Sequence, residues 1–394
     1  MKNLLVRGFC GSFALLAFVL LSLGEARAWA EGLAGSYSME MRLTPIAGYQ
    51  VSGYETQNVL RVYAYLPPIV RWNGGGTGPL EYQPAYNQPW VDEFCENGDP
   101  DNQNDFPASP EDCTNIREND PHYRPRFDLN RSNQFFYGHA MRVVDEARDH
   151  NPQVTVIFIL TQGTDYGAPG DQWTWNPLNP ANNVQGVDAS SYRDLITNTD
   201  QNDPAQSYFY GYVDQMISTF SGYSNVYFEV MNEGTVGQVN TDPWQNQMVT
   251  YIQNHPNRGS IKVLKSAPET DAGGYDDDVL ITSSADAISV SIPFIVENQQ
   301  WSCADIENSP DQIPDASSFN VGHPGRPVFF DTDHNCPGDP YFSPAGIDVL
   351  YCKGYNILKL DVVSNNAAEQ ELAKIGSCAN GSSYCDNLCS PRNN

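Results

Sequence analysis

The sequence predicts an α/β fold: a single (β/α)8 barrel of the TIM type, with long loop insertions and a shortened first βα unit. Short apolar runs rich in β-branched and aromatic residues recur along the chain without a nearby hairpin partner. Such runs are typical of strands that are buried on both faces in a parallel sheet. Helical patterns stand between several of them, and seven or eight such units over about 330 residues suit a barrel.

Each predicted strand is a short, mostly apolar run. An open doubly wound sheet is the alternative arrangement. However, no Gly-x-Gly-x-x-Gly sequence opens a helix after a strand and no P-loop sequence is present, which removes the main support for nucleotide binding. The predicted strands are Tyr37–Leu43, Asn58–Tyr65, Val154–Leu160, Asn225–Met231, Ile261–Leu264, Ala287–Ile292, Pro327–Phe330 and Asn356–Leu360. Only about thirty residues separate the N-terminal leader from the second of these, so the first unit has little room for a helix.

Three helices are predicted from apolar residues that recur every three or four positions. They span Asn133–His150, Ser207–Phe220 and Pro243–His255. Asp128 or Ser132 could cap the first helix, because either side chain can accept a hydrogen bond from a free backbone amide.

Two long polar segments, at about 67–125 and 162–203, interrupt the units. Both follow predicted strands, so in a barrel they would lie on the face where active sites are built. Their acidic runs lack the glycine and the final glutamate of a calcium loop, and the histidines lack the spacing of metal ligands. Neither a metal nor an organic cofactor is therefore expected.

The charge of the chain excludes two classes of partner. The sequence has 21 Lys and Arg against 48 Asp and Glu, which gives a formal net charge of −27. Nucleic acids and anionic membrane surfaces both require a basic patch, so neither is expected as a partner. We expect a monomer.

Residues 1–30 have the pattern of a secretory signal peptide. Lys2 and Arg7 form a basic region, Phe13–Leu23 is apolar, and cleavage is expected near Ala28 or Ala30. The apolar run is short for a membrane span of roughly 20 residues, which disfavours an N-terminal anchor. A secreted or periplasmic protein is therefore expected.

The cysteines fit an oxidising compartment. Loss of Cys10 with the signal peptide leaves eight of the nine cysteines, an even number that suits disulfide bonds. Their connectivity stays open, although local closure favours Cys95–Cys113. We expect a catalytic domain over residues 31–375 and a cysteine-rich tail over residues 376–394.

The first candidate catalytic carboxylate follows a predicted strand. Side chains alternate along a strand, so Glu229, Met231 and Glu233 are predicted to share one side. If that side faces inward, Glu233 lies at the mouth of the barrel and Glu229 lies one layer below. A buried carboxylate needs a partner, and Arg61, in the middle of an apolar strand, is the candidate.

A second predicted strand ends in Asp331 and Asp333, followed by His334. Cleavage of a glycosidic bond needs two carboxyl groups, one as general acid and one as nucleophile or base. Glu233 and one of these aspartates could form such a pair. Asp331, at the rim, is preferred over Asp333 because it can approach Glu233 more closely, and His334 could orient either aspartate.

Together these motifs resemble the clan A glycoside hydrolases, which are cellulase-like retaining barrels. Phe228-Glu-Val-Met-Asn-Glu233 looks like the fourth-strand signature of that clan, and Arg61 resembles its second-strand arginine. The resemblance implies that Glu233 is the acid/base and that Arg61 and Asn232 hold charge and substrate.

The remaining motifs resemble a poorly characterised bacterial branch of these barrels, over roughly residues 57–375. They are Trp175–Val184, Asp331-Thr-Asp-His334 at the end of strand seven, and Gly354–Asp361 as strand eight. An aspartate stands where relatives have the nucleophilic glutamate, so inversion remains open beside retention. A catalytically inactive carbohydrate-binding barrel is the alternative function.

Tryptophans in predicted loops are a further indication of a sugar partner, because the CH faces of sugars stack on aromatic rings. Trp173 and Trp175 are the candidates for substrate binding, and ordinary packing beneath long loops is the alternative. The loop tryptophans are Trp72, Trp90, Trp173, Trp175 and Trp301. The sequence thus predicts a secreted glycoside hydrolase that cleaves a poly- or oligosaccharide.

Overall fold

A computed structural model describes most of the predicted strands and helices. The described residues are 37–42, 59–64, 69–71, 80–82, 88–92, 126–149, 154–161, 163, 173, 176–187, 189, 191–232, 240–267, 278–291, 313–331 and 349–358.

The described part of the chain contains strands of three to six residues. In chain order they are β1 (Tyr37–Arg42), β2 (Val59–Tyr63), β3 (Ile69–Arg71), β4 (Leu80–Tyr82), β5 (Trp90–Asp92), β6 (Phe127–Ser132), β7 (Thr155–Ile159), β8 (Val226–Glu229), β9 (Lys262–Ser266), β10 (Ala287–Ser291), β11 (Val328–Asp331) and β12 (Asn356–Leu358).

The helices stand between the later strands. They are α1 (Gln134–Asp149), α2 (Tyr192–Thr197), α3 (Pro204–Phe220), α4 (Asp242–Asn254) and α5 (Asp278–Ile281), with 3-10 turns at Pro180–Asn182 and Ala316–Asn320. Asp203 begins α3 by accepting hydrogen bonds from the backbone amides of Ala205 and Gln206, which satisfies amides that have no partner within the helix.

Six strands form a continuous, curled parallel sheet in the order β2, β7, β8, β9, β10, β11. Further parallel pairings join β12 to β11 and to β1, and β1 to β2. The α/β prediction is confirmed, and the predicted strands agree with the observed ones to within a few residues. Residues 43–58, on which the shortened first unit depends, lie outside the described ranges.

Two antiparallel pairs, β3–β4 and β5–β6, are separate from the barrel. They are not predicted from the sequence, because three of the four strands have only three residues and leave no periodic pattern to detect. The predicted cap of α1 is wrong, since Asp128 and Ser132 both belong to β6. The Asp128 carboxylate instead accepts hydrogen bonds from the backbone amide of Asn130 and from Gln185 Nε2.

The buried apolar side chains divide into two clusters. The larger one joins the helices to the outward-facing strand residues and includes Phe158, Phe220 and Phe228. The smaller one contains one residue from each of six barrel strands: Val59, Ile157, Tyr227, Leu264, Ala287 and Phe329. This second cluster is the interior apolar layer, because barrel interiors are filled by layers of side chains drawn from neighbouring strands.

Helix α3 ends against the turn that leads into β9. The Ser221 carbonyl accepts a hydrogen bond from the amide of Ser260 at 3.3 Å. Gly259 has φ 59°, a left-handed conformation that favours glycine, and a Cβ at this position would lie 1.9 Å from the Ser221 oxygen. The turn therefore accepts glycine alone without a shift of the backbone.

Several predictions concern parts of the chain that are not described. The signal peptide and the cysteine-rich tail are among them. Cys352 is disulfide-bonded, whereas the other cysteines fall outside the described ranges. No helix in the described part is long and apolar enough to cross a membrane.

Candidate active site

A polar layer lies above the interior apolar layer, one step nearer to the C-terminal ends of the strands. Its described members each stand two residues beyond a member of the apolar layer on the same strand, and alternation therefore turns them to the same side. They are Arg61 on β2, Glu229 on β8, Ser266 on β9 and Ser289 on β10, with exposed fractions of 0%, 0%, 4% and 1%.

Arg61 and Glu229 form a buried ion pair. Arg61 Nε donates to Glu229 Oε2 at 2.7 Å, and Nη2 donates to Oε1 at 2.5 Å. Both side chains are fully buried, and the parallel, two-bond geometry is the strongest form of arginine–carboxylate contact. The predicted pairing of Arg61 with Glu229 is confirmed.

Asn232 joins this pair from just beyond the end of β8. Arg61 Nη2 also donates to Asn232 Oδ1, at 2.6 Å, and the Asn232 side chain is fully buried. Glu229 and Asn232 are three residues apart, so regular alternation cannot turn both towards Arg61. The chain bends at Val230, and that bend changes the phase of the side chains.

The predicted common side for Glu229, Met231 and Glu233 is therefore wrong for Met231. This residue packs in the outer apolar cluster, with the helices and the outward-facing strand residues. The side chain that points inward, towards Arg61, is instead that of Asn232. A period-2 pattern cannot reveal such a bend, because the pattern assumes an extended strand throughout.

The backbone amide and the backbone carbonyl of Asn232 are also both hydrogen-bonded. Its amide donates to the Thr161 carbonyl at 3.0 Å, and its carbonyl accepts from the Gly163 amide at 2.6 Å. Thr161 and Gly163 extend the line of β7, so the pairing of β7 with β8 resumes after the bend at Val230. Position 233 follows directly from a residue whose main chain and side chain are both fixed.

Ser266 is a further hydrogen-bond donor to Glu229. Its hydroxyl donates to Glu229 Oε1 at 2.7 Å, so this oxygen accepts from both Ser266 and Arg61. Sequence reasoning missed Ser266, because a serine at the end of a short strand has no distinguishing pattern. Only the register of the barrel brings it beside Glu229.

Burial also determines the protonation state of a neighbouring side chain, the phenol of Tyr227. Tyr227 lies in the interior apolar layer beneath this network, and burial raises the pKa of its hydroxyl well above the ordinary value, with a smaller contribution from Asp286. The phenol is therefore neutral at neutral pH. The charges described in this part of the interior are those of Arg61 and Glu229, which cancel.

The remaining predicted site residues are only partly accounted for. Asp331 is the last residue of β11, in register with Ser291 and Leu358, and it follows Phe329 of the interior layer by two positions. Its side chain is not described, and neither are Glu233, Asp333, His334 and Trp175. The structure thus brings together Arg61 and Asn232 of the predicted set.

The tryptophans that are described pack against the protein. Trp90 lies in β5, is 4% exposed, and packs against Tyr212 with a centroid distance of 6.0 Å. It is therefore not available to a sugar, which corrects its prediction as a loop residue. Trp173 is partly buried against the outer apolar cluster.

The asparagine-rich motif after β7 is held together by its own side chains. Asn183 Nδ2 donates to the carbonyls of Pro177 and Asn179, and Asn183 Oδ1 accepts from the Val187 amide. Asn182 Nδ2 donates to the Asn176 carbonyl at 3.0 Å. These amides replace the backbone partners that an irregular loop lacks, so the motif has a structural role.

A surface groove of about 670 Å³ lies along the C-terminal half of α4. In a βα barrel this end of a helix lies near the N-terminal ends of the strands, which is the face of stability and not of catalysis. Two of its donors are already used: the Tyr251 hydroxyl donates to Asp214, and Gln247 Nε2 donates to the Thr199 carbonyl. The polar layer is therefore the better candidate site.

No group of three or more His, Cys, Asp or Glu side chains in the described ranges could hold a metal ion. The arrangement at the polar layer suits a different task. A neutralised arginine and a fixed carboxamide can position hydroxyl groups and a neighbouring carboxyl group.

Comparisons with known proteins give a likeness of fold only. No family model matches the chain, and no curated protein matches it. Among solved structures, Thermotoga maritima Cel5A with cellobiose shares 8% identity and a TM-score of 0.45, over 89% of this chain and 99% of that chain. A GH5-4 broad-specificity endoglucanase from an uncultured bacterium shares 11% identity and a TM-score of 0.44, over 90% and 95%.

A candidate glycoside hydrolase from Bacteroides vulgatus matches at 15% identity and a TM-score of 0.39 over 87% of this chain. The chain spans about half of that protein, 49% of its length. TM-scores of 0.39 to 0.45 carry no weight for activity. The case for a function rests on the residues of this chain.

Proposed function

We propose that the protein is a secreted glycoside hydrolase that cleaves O-glycosidic bonds of a poly- or oligosaccharide with two carboxylates. The observation that carries the proposal is the buried network of Arg61 in the middle of β2, Glu229 at the end of β8 and Asn232 just beyond it. It fixes the residue immediately before Glu233, at the end of a parallel barrel where active sites form. Glu233 is the proposed general acid/base.

Asp331 is the proposed second carboxylate, with Asp333 as the alternative. Asp331 ends β11, and the alternation of that strand predicts the same face as Phe329 of the interior layer. Retention requires carboxyl groups about 5–5.5 Å apart, and inversion requires a wider gap that admits water. Arg61 and Asn232 hold charge and substrate in this proposal, while His334, Trp173 and Trp175 contribute further contacts.

The decisive experiment replaces Glu233 by Gln after a screen on plant and bacterial polysaccharides identifies a substrate. The amide preserves shape but cannot donate a proton, so turnover should fall by several orders of magnitude with little change in folding. Glu146→Gln on the exposed face of α1 is the control and should retain full activity. Recovery of turnover by added azide would indicate retention. An unaltered rate in Glu233→Gln would exclude Glu233 as the acid.

A catalytically inactive carbohydrate-binding barrel is the second candidate. The observation that favours it is the aspartate at position 331, which is one methylene shorter than a glutamate. The same polysaccharide screen separates the two functions, because the inactive barrel would bind a glycan without releasing reducing ends.

Secretion and the complete (β/α)8 barrel with a short first unit belong to the same proposal. The composition of residues 1–30 supports cleavage near Ala28 or Ala30. The mature N-terminus, sequenced from exported protein, would test this part. An N-terminus at Met1 in the exported protein would contradict it.

A further inference from the structure

Two polar side chains of the interior have no part in the proposed chemistry. Glu229 is a fully buried carboxylate one layer below the mouth, and Ser266 stands beside it on the neighbouring strand. We propose that Ser266 and Glu229 are positioning residues that act through Arg61 to hold the Asn232 carboxamide in one orientation, with its oxygen towards Arg61. The inference rests on the proposed function, because its consequence is the binding of a sugar next to Glu233.

The hydrogen-bonding groups of Arg61 and Asn232 allow only one orientation of the Asn232 carboxamide. A guanidinium can only donate, so the group that Asn232 turns to Arg61 must be its oxygen. Arg61 Nη2 carries two hydrogens, and both have acceptors: Glu229 Oε1 at 2.5 Å and Asn232 Oδ1 at 2.6 Å. The carboxamide of Asn232 therefore turns its oxygen towards Arg61 and its amino group, which is a donor, away from Arg61.

Within the described residues, three hydrogen-bond donors hold the carboxylate of Glu229. Arg61 supplies two of them and the Ser266 hydroxyl supplies the third, at 2.7 Å from Oε1. Ser266 shares Oε1 with Arg61 Nη2, which is the nitrogen that also holds Asn232. Loss of the serine hydroxyl would let the carboxylate turn about its terminal bond, and Nη2 would follow.

The chain offers a matched control for Ser266. Ser289 is the register partner of Ser266 on β10 and is also buried, at 1% exposure against 4%. Its hydroxyl has no hydrogen bond within the described residues. Ser289→Ala removes the same atom from the same ladder without removing a donor to Glu229.

The first test does not depend on activity. In protein labelled with nitrogen-15 at asparagine, the Asn232 side-chain signal is the one lost in Asn232→Ala. We expect this signal to shift in Ser266→Ala, to stay in place in Ser289→Ala, and to return in Ser266→Thr, which keeps the hydroxyl. An unmoved signal in Ser266→Ala, or an equal shift in Ser289→Ala, would overturn the proposal.

The second test measures kcat/KM on the substrate found by the screen. Ser266→Ala should lower kcat/KM about tenfold, since a hydrogen bond to a charged group is lost. In the Asn232→Ala background the same change should have less than about a twofold effect, because the residue through which it acts is gone. A purely structural role of Ser266 would give the tenfold loss in both backgrounds, which would refute the positioning role.

The two tests separate this inference from the proposed function. A wild-type protein that neither cleaves nor binds any glycan in the screen would exclude the hydrolase and the binding barrel. The Asn232 signal would still decide whether Ser266 and Glu229 set the orientation of that side chain.

Discussion

Arg61 is a charged side chain where an apolar one would pack at lower cost. Taking an arginine and a carboxylate out of water costs several kcal/mol per ion, and only close, well-directed contacts offset that cost. The Arg61–Glu229 geometry meets this condition, with two bonds of 2.5 and 2.7 Å and no exposure of either side chain. An apolar pair of similar volume could serve stability equally well, which indicates that the pair is present for the site.

Removal of one partner should be far more harmful than removal of both. In Arg61→Met the Glu229 carboxylate stays buried without its counter-charge, and the free energy of unfolding should fall by about 3–5 kcal/mol. The double variant Arg61→Met/Glu229→Leu should recover most of this loss. Urea denaturation followed by tryptophan fluorescence measures both. A single variant as stable as the wild type would show that Arg61 is not buried against Glu229.

At the scale of elements, the strands were predictable and the bend after β8 was not. β7 and β8 are runs of apolar and β-branched residues, and such runs indicate buried strands wherever they occur. The phase change at Val230 depends on two backbone hydrogen bonds with another segment, in which the Asn232 amide donates to the Thr161 carbonyl and the Gly163 amide donates to the Asn232 carbonyl. Local sequence carries no record of those partners, so the alternation rule fails at this point.

The turn between α4 and β9, which contacts the end of α3, allows a direct test of a backbone constraint. Gly259 and Gly186 have nearly equal φ values, 59° and 63°, but a Cβ would meet the Ser221 oxygen only at Gly259. Gly186→Ala should cost about 1 kcal/mol for the left-handed conformation alone. Gly259→Ala should cost about 3 kcal/mol or more, because the backbone must also shift.

Thermal unfolding of the two variants, measured in parallel, separates the two contributions to the loss of stability. Gly186→Ala reports the conformational penalty, and the difference between the variants reports the collision with Ser221. Equal melting temperatures would mean that the turn relaxes freely and that α3 is not held there.

At the scale of the whole molecule, the net charge of −27 is a source of self-repulsion. Salt screens such repulsion, with a Debye length of about 10 Å at 0.1 M. We expect the melting temperature to rise by a few degrees between about 10 mM and 300 mM NaCl. Affinity for a neutral polysaccharide should stay nearly constant over the same range. A steep loss of affinity with salt would instead indicate a cationic ligand.

The architecture was the most predictable level, and the site was predictable only in part. The barrel follows from repeated apolar runs, and the arginine stood out because Val59-Leu-Arg-Val62 is otherwise apolar. Ser266 and the side-chain bonds of Asn183 could not be foreseen. Their roles depend on which strand or loop lies opposite, and that information exists only after the chain has folded.

The Arg61–Glu229 pair also constrains the order in which the barrel can assemble. The two residues are 168 positions apart in the chain, and β7 lies between their strands. A partly formed sheet of β2 and β7 must keep the arginine hydrated, because no counter-charge has yet arrived. We expect water to leave this part of the interior when β8 docks and supplies the counter-charge. Burial of the pair and closure of the sheet should then occur together.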